Sequence, residues 1–77
     1  MIACLILAYN EEKYLKENIE DIEILFDSII IVNDASTDKT FQILSEINGD
    51  KVKKIHNSKN YGAGKSMEIG VNHFLQT

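Results

Sequence analysis

Three short clusters of side chains in this sequence have the types and spacing to grip a nucleotide. Ala8-Tyr9-Asn10-Glu11-Glu12 follows an apolar run. A tyrosine there can lay its ring on a nucleobase, and the backbone at Ala8 can meet a base edge. The alternative is a tyrosine that closes a core beside an asparagine that caps a helix. In Asn33-Asp34-Ala35-Ser36-Thr37-Asp38, Asp34 is a carboxylate able to accept a hydrogen bond from a ring N–H such as N3 of uracil. Its alternative is to cap the next helix, which is how Asp38 reads. Asn60-Tyr61-Gly62-Ala63-Gly64-Lys65-Ser66 sets glycines ahead of a helix start, where backbone N–H groups can approach a phosphate and Lys65 adds a point charge. Its alternative is a turning loop with a lysine in solvent.

Several known motifs come near and fail. A phosphatase Asp-x-Asp-x-Thr would need an aspartate at Ser36. A P-loop ends as Gly64-Lys65-Ser66 does, but Lys59 occupies its first glycine position. A dinucleotide fingerprint would follow the first strand, and here Met67 replaces its third glycine. His56 and His73 have no partner at metal-ligand spacing and read as ordinary surface or strand-end residues. Cys4, the single cysteine, lies in an apolar run and reads as a buried, inert thiol. One cysteine allows no disulfide within the chain, which fits a reducing compartment.

The elements that must carry these clusters alternate. Met1–Ala8 is apolar throughout, as in a strand buried on both faces of a parallel sheet. Glu11–Phe26 reads as an amphipathic helix capped by Asn10, with Tyr14 in a packing role and Leu15, Ile19, Ile22 and Phe26 as its inner stripe. Ser28–Val32 is a second strand, broken by Asn33. Ser36 or Thr37 is expected to cap the next helix, whose stripe is Phe41, Leu44 and Ile47. Asn48-Gly49-Asp50 ends that helix, with Gly49 as its left-handed residue. Lys51–His56 is a weak, lysine-bearing strand suited to a solvated edge, and Asn57–Ala63 is a loop. Gly64–Leu75 is a helix with Met67, Val71, Phe74 and Leu75 on one face. Gly70 inside it implies close packing on the sheet.

The expected fold is therefore α/β: an open parallel three-stranded β-α-β-α-β-α sheet of order 3-2-1. In it the apolar first strand lies at an edge. Either a missing C-terminal portion or an oligomeric partner is expected to cover that edge. The chain has 77 residues, one small domain's worth, and a net charge of −4, which argues against nucleic acid as a partner. No apolar run is long enough to span a bilayer, and Met1–Ala8 lacks a basic n-region, so a signal peptide is not expected there.

Taken in order, LILAYNEEKYLKENI, IIIVNDASTDKT and NYGAGKSMEIGV resemble the successive segments of inverting family 2 glycosyltransferases with a GT-A fold, including its Tyr-Asn-Glu turn and Asn/Asp-Asp-Gly-Ser-Thr-Asp segment. The resemblance covers nearly the whole chain. It implies binding of a nucleoside-diphosphate sugar and a Rossmann-like, N-terminal nucleotide-binding portion. Under it, Ala8, Tyr9, Asn10 and Glu11 form the turn that holds base and ribose, Asp34 reads the base, and Gly64 and Lys65 start the helix near the diphosphate. Ala8, Ala35 and Met67 stand where many members have Pro or Thr, Gly, and Arg. The family's Asp-x-Asp motif, which holds Mn²⁺ or Mg²⁺, and its catalytic base are expected beyond Thr77, so this chain alone is expected to be inactive. The resemblance places the protein in the cytoplasm, at the inner face of a membrane if the full-length protein is anchored there. Two other readings stay open from the residues themselves. One is a non-catalytic nucleotide-binding or assembly module, and the other a P-loop-like phosphohydrolase fragment.

Overall fold

The computed structural model describes residues 2–47 and 49–75. Its elements are β1 (Ala3–Ala8), α1 (Leu15–Glu23), β2 (Ser28–Asn33), α2 (Thr40–Glu46), β3 (Val52–His56) and α3 (Ala63–Leu75). Met1, which the sequence assigned to the first strand, and Asn48, assigned to the end of the second helix, lie outside the described residues. The strands form one parallel sheet in the order β1-β2-β3, so the α/β fold and strand order expected from the sequence are those observed. Ala8 pairs with Asn33 and Asn33 with His56, which brings the three outgoing loops to one end of the sheet.

Side chains alternate across a strand, and the two faces are filled differently. Cys4, Ile6, Ala8, Ile29 and Ile31 pack with Leu15 and Ile19 of α1 and Leu44 of α2. On the other face α3 lies close. A Cβ placed on Gly70 would collide with the Leu5 side chain and come within 3.2 Å of Val32 Cγ2. Glycine costs about 1 kcal/mol in a helix interior, and here it lets α3 sit directly on the sheet.

Several local expectations are corrected. The first helix begins at Leu15, after a turn, because Asn10 adopts φ 52° and its side chain is used elsewhere. Tyr14 is half exposed, with the Lys13 ammonium 5.3 Å from its ring centre. Asn33 continues β2 rather than breaking it. In α2 the buried residues are Thr40 and Leu44, whereas Phe41 is exposed and tilts against the His56 ring at 4.4 Å. That helix ends in extended backbone at Ile47, and Gly49 has φ 150°, outside the left-handed cap region. Its last carbonyls are met by Lys54, whose Nζ donates to Leu44 O at 2.9 Å and Ile47 O at 2.8 Å. A cation at a helix C-terminus also complements the dipole, so Lys54 is not simply a solvated edge lysine. The inner face of α3 is Ser66 and Gly70, and Met67, Val71 and Leu75 are exposed. Small residues win that face because only they permit the close approach.

Candidate functional site

The first and second loops are stitched together by short side chains. Asn10 N donates to Ser36 Oγ at 3.0 Å, Glu11 N to Thr40 Oγ1 at 2.9 Å, and Glu12 N to Asp38 Oδ2 at 3.2 Å. In return Thr37 N donates to Asn10 Oδ1 at 2.8 Å. The amides that open the turn into α1 are thus satisfied from the second loop, and Asn10 shapes the turn instead of capping the helix. Ser36 and Thr37 do not cap α2 either. Asp38 does, accepting from Thr40 N at 2.9 Å. Burial works to raise the Asp38 carboxyl, but hydrogen bonds from Thr40 and Glu12 outweigh it and hold its pKa below the ordinary 3.8.

The second and third loops meet on one carboxylate. Asp34, 5% exposed, accepts Tyr61 N at 2.8 Å and Asn57 Nδ2 at 3.0 Å on Oδ1, and Gly62 N at 2.9 Å on Oδ2. Gly62 sits at φ 87°, a conformation L side chains avoid, and this turns its N–H toward the carboxylate. Burial works to raise the Asp34 pKa. Hydrogen bonds from Tyr61, Asn57, Gly62 and Ser66 outweigh it and hold it below 3.8. Asp34 N also donates to Ala8 O at 2.9 Å, which ties this hub to the end of β1.

A third joint lies beside them. Asn33 Oδ1 accepts from Ser36 N at 3.1 Å and Ser36 Oγ at 2.6 Å, so its amide group faces His56 Nδ1 at 3.1 Å. His56 Nδ1 must then be the acceptor, with the ring proton on Nε2. Burial, with the Lys54 charge nearby, pushes the His56 pKa below 6.5. The fold favours the neutral ring, so its contribution is complete above 6.5 and is lost as pH falls through the lowered value.

An open cavity of about 330 Å³ lies at this end of the sheet. Leu7, Ala8, Tyr9 and Glu11 line it from β1 and the first loop, Asp34 from the second, Asn60 and Gly62 from the third, and Ala63 and Ser66 from the start of α3. Ligand cavities begin at about 300 Å³. Tyr9 and Asp34 therefore open on the same space. Of the residues singled out there, Ala8, Tyr9, Glu11 and Asp34 line the cavity, while Asn10, Gly64 and Lys65 do not. Lys65 Nζ is 3.6 Å from Glu68 Oε2 on the exposed side of α3. Ser66 and Asn60 were not singled out. The four-residue spacing of Ser66 and Gly70, small residues on one helical face, was the signal that could have placed Ser66 against the sheet. Among the described residues no group of three or more His, Cys, Asp or Glu is placed to hold a metal ion. No helix among them is long and apolar enough to cross a membrane.

Residues 3–76 match the profile described as glycosyl transferase family 2. The chain is 37% identical to an uncharacterized glycosyltransferase of Haemophilus influenzae over 96% of its own length and 24% of that protein's. It is 38% identical to an uncharacterized protein of Methanocaldococcus jannaschii over 97% of its own length and 34% of that protein's. The chain thus spans about a quarter to a third of the curated relatives it matches.

Proposed function

The chain belongs to glycosyl transferase family 2, and from that premise we propose that it is the nucleotide-binding part of an inverting enzyme that moves a sugar from a nucleoside-diphosphate sugar to an acceptor hydroxyl. The observation that carries the reading is the single cavity onto which Tyr9, Glu11, Asp34 and the start of α3 open together. Its floor is the end of β1, and its one aromatic wall is Tyr9. A nucleoside fits that chemistry. The ring stacks on Tyr9, backbone groups at Ala8 meet the base edge, and Glu11 accepts from ribose hydroxyls. Asn10 shapes the turn that presents them, and Asp34 fixes the opposite wall. In this reading Gly64 and Lys65, on the exposed first turn of α3, serve the diphosphate outside the cavity, as the family resemblance implies.

The reaction in this reading forms a bond from acceptor oxygen to the sugar's anomeric carbon and breaks that carbon's bond to the diphosphate. The acceptor proton goes to a general base, and the departing diphosphate takes the negative charge. These residues hold the leaving group's nucleoside. The base, the acceptor site and the divalent metal implied by the family resemblance belong in this proposal to the part of the relatives that the chain does not span.

Calorimetric titration with UDP, GDP and dTDP tests the reading. At least one is expected to bind, and Tyr9→Ala is expected to weaken that binding. A folded protein that binds none of the three would refute it.

A further inference from the structure

The Asp34 carboxylate has about four lone-pair sites, and three of them hold hydrogen bonds from Asn57, Tyr61 and Gly62. Tyr61 N, Asn57 Nδ2 and Gly62 N lie within 3.0 Å, and the Ser66 hydroxyl adds to the stabilisation of its charged form. Most of its accepting capacity is therefore spent on the protein's own donors. Of those donors two are backbone amides, available whatever the side chain. Asn57 is different because its amide is divided. One hydrogen goes to Asp34 Oδ1 and the other to Ser66 Oγ, each at 3.0 Å. Ser66 is fully buried in the first turns of α3 and lines the cavity. Asn57 itself is fixed by the sheet, since its N–H donates to Asn33 O at 2.9 Å just past the end of β3. One planar group anchored to the sheet therefore sets the spacing between the second loop and α3, and residues 60–63 hang between those two.

We propose that Asn57 is a positioning residue for the nucleotide site: it stays clear of the ligand and acts through Asp34 and Ser66 to hold the third loop as a wall of the cavity. This rests on the reading of the cavity as a nucleotide site. Asn57→Asp is the discriminating variant, because it keeps the size and replaces the shared donor by a second carboxylate. With both acids ionised the pair repels, and with one proton between them an O–H···O bridge returns.

The test uses UDP, GDP and dTDP with the whole protein and compares each variant with wild type at matched pH. Asn57→Ala is expected to bind about tenfold more weakly at every pH. Asn57→Asp is expected to bind at least that weakly near neutrality and to recover toward wild type as the medium is acidified. Loss of a merely structural side chain would not give proton rescue. Without ligand, hydrogen exchange in the segment holding Tyr61 and Gly62 is expected to speed up in both variants while β2 stays protected. Unchanged exchange in that segment, or an Asn57→Asp deficit that ignores pH, overturns the proposal. A wild-type protein that binds none of the nucleotides while exchange responds as expected refutes the nucleotide reading instead, and leaves the positioning of the loop supported.

Discussion

The joint between the first and second loops and the joint between the second and third are built on opposite plans. The first distributes its bonds over Asn10, Ser36, Thr37, Asp38 and Thr40, and most of them are exposed. The second gathers its bonds on Asp34, which is 5% exposed, and all of them are part-buried. Water can replace a lost partner in the first joint. In the second, one lost acceptor takes a partner from three shielded donors at once, and a buried group left short of partners loses more than a made bond gains. The first joint should therefore tolerate single changes, and the second should fail as a unit.

Asp34→Ala should show the largest effect. It takes an acceptor from Tyr61 N, Gly62 N and Asn57 Nδ2 together, leaving Gly62 N only Asn60 Oδ1 and Asn57 Nδ2 only Ser66 Oγ, and nucleotide affinity should fall by about tenfold to a hundredfold for every base alike. Calorimetry checks this. A loss confined to one base would mean that Asp34 contacts the ligand directly and would break the comparison. Thr40→Val should come next. It removes the acceptor for Glu11 N from a residue with no exposed surface while keeping its shape. A loss of about 1 kcal/mol is expected in denaturant unfolding, with a smaller change in nucleotide affinity than at Asp34. Equal effects on affinity would remove the distinction between the joints. Ala35→Gly should be smallest. Ala35 holds φ 57°, which an L side chain adopts at about 1–2 kcal/mol, while glycine gives back about 0.4–1 kcal/mol through the unfolded chain. The thermal midpoint should rise slightly. A fall would show that the alanine methyl packs usefully in the second loop.

The order of elements was legible because it rests on local patterns. The apolar runs at Ala3–Ala8 and Ser28–Val32 and the breaks after each are enough to set strands, crossovers and their handedness. From that order it followed that the loops after β1, β2 and β3 share one end of the sheet. Gly70 was also legible, since a glycine inside a helix has few uses besides close approach. Helix faces were less so. Phe41 and Met67 read as inner residues by hydrophobicity, yet Thr40 and Ser66 took those places: Thr40 is buried beside Leu44, where it accepts Glu11 N, and Ser66 lies on the face of α3 that Gly70 brings down onto the sheet.

What the amino-acid order determined by itself was the parallel α/β frame and the three segments that converge at its end. Those follow from periodicity and turn chemistry, which act over a few residues. Tertiary structure alone decided which polar side chains serve the loops and which face the cavity. Asn10 could have capped its own helix, but it receives Thr37 N across 27 positions, and Asp34 binds amides 27 and 28 positions away. A hydrogen bond depends on distance and angle in space, and no local pattern encodes a partner so far along the chain.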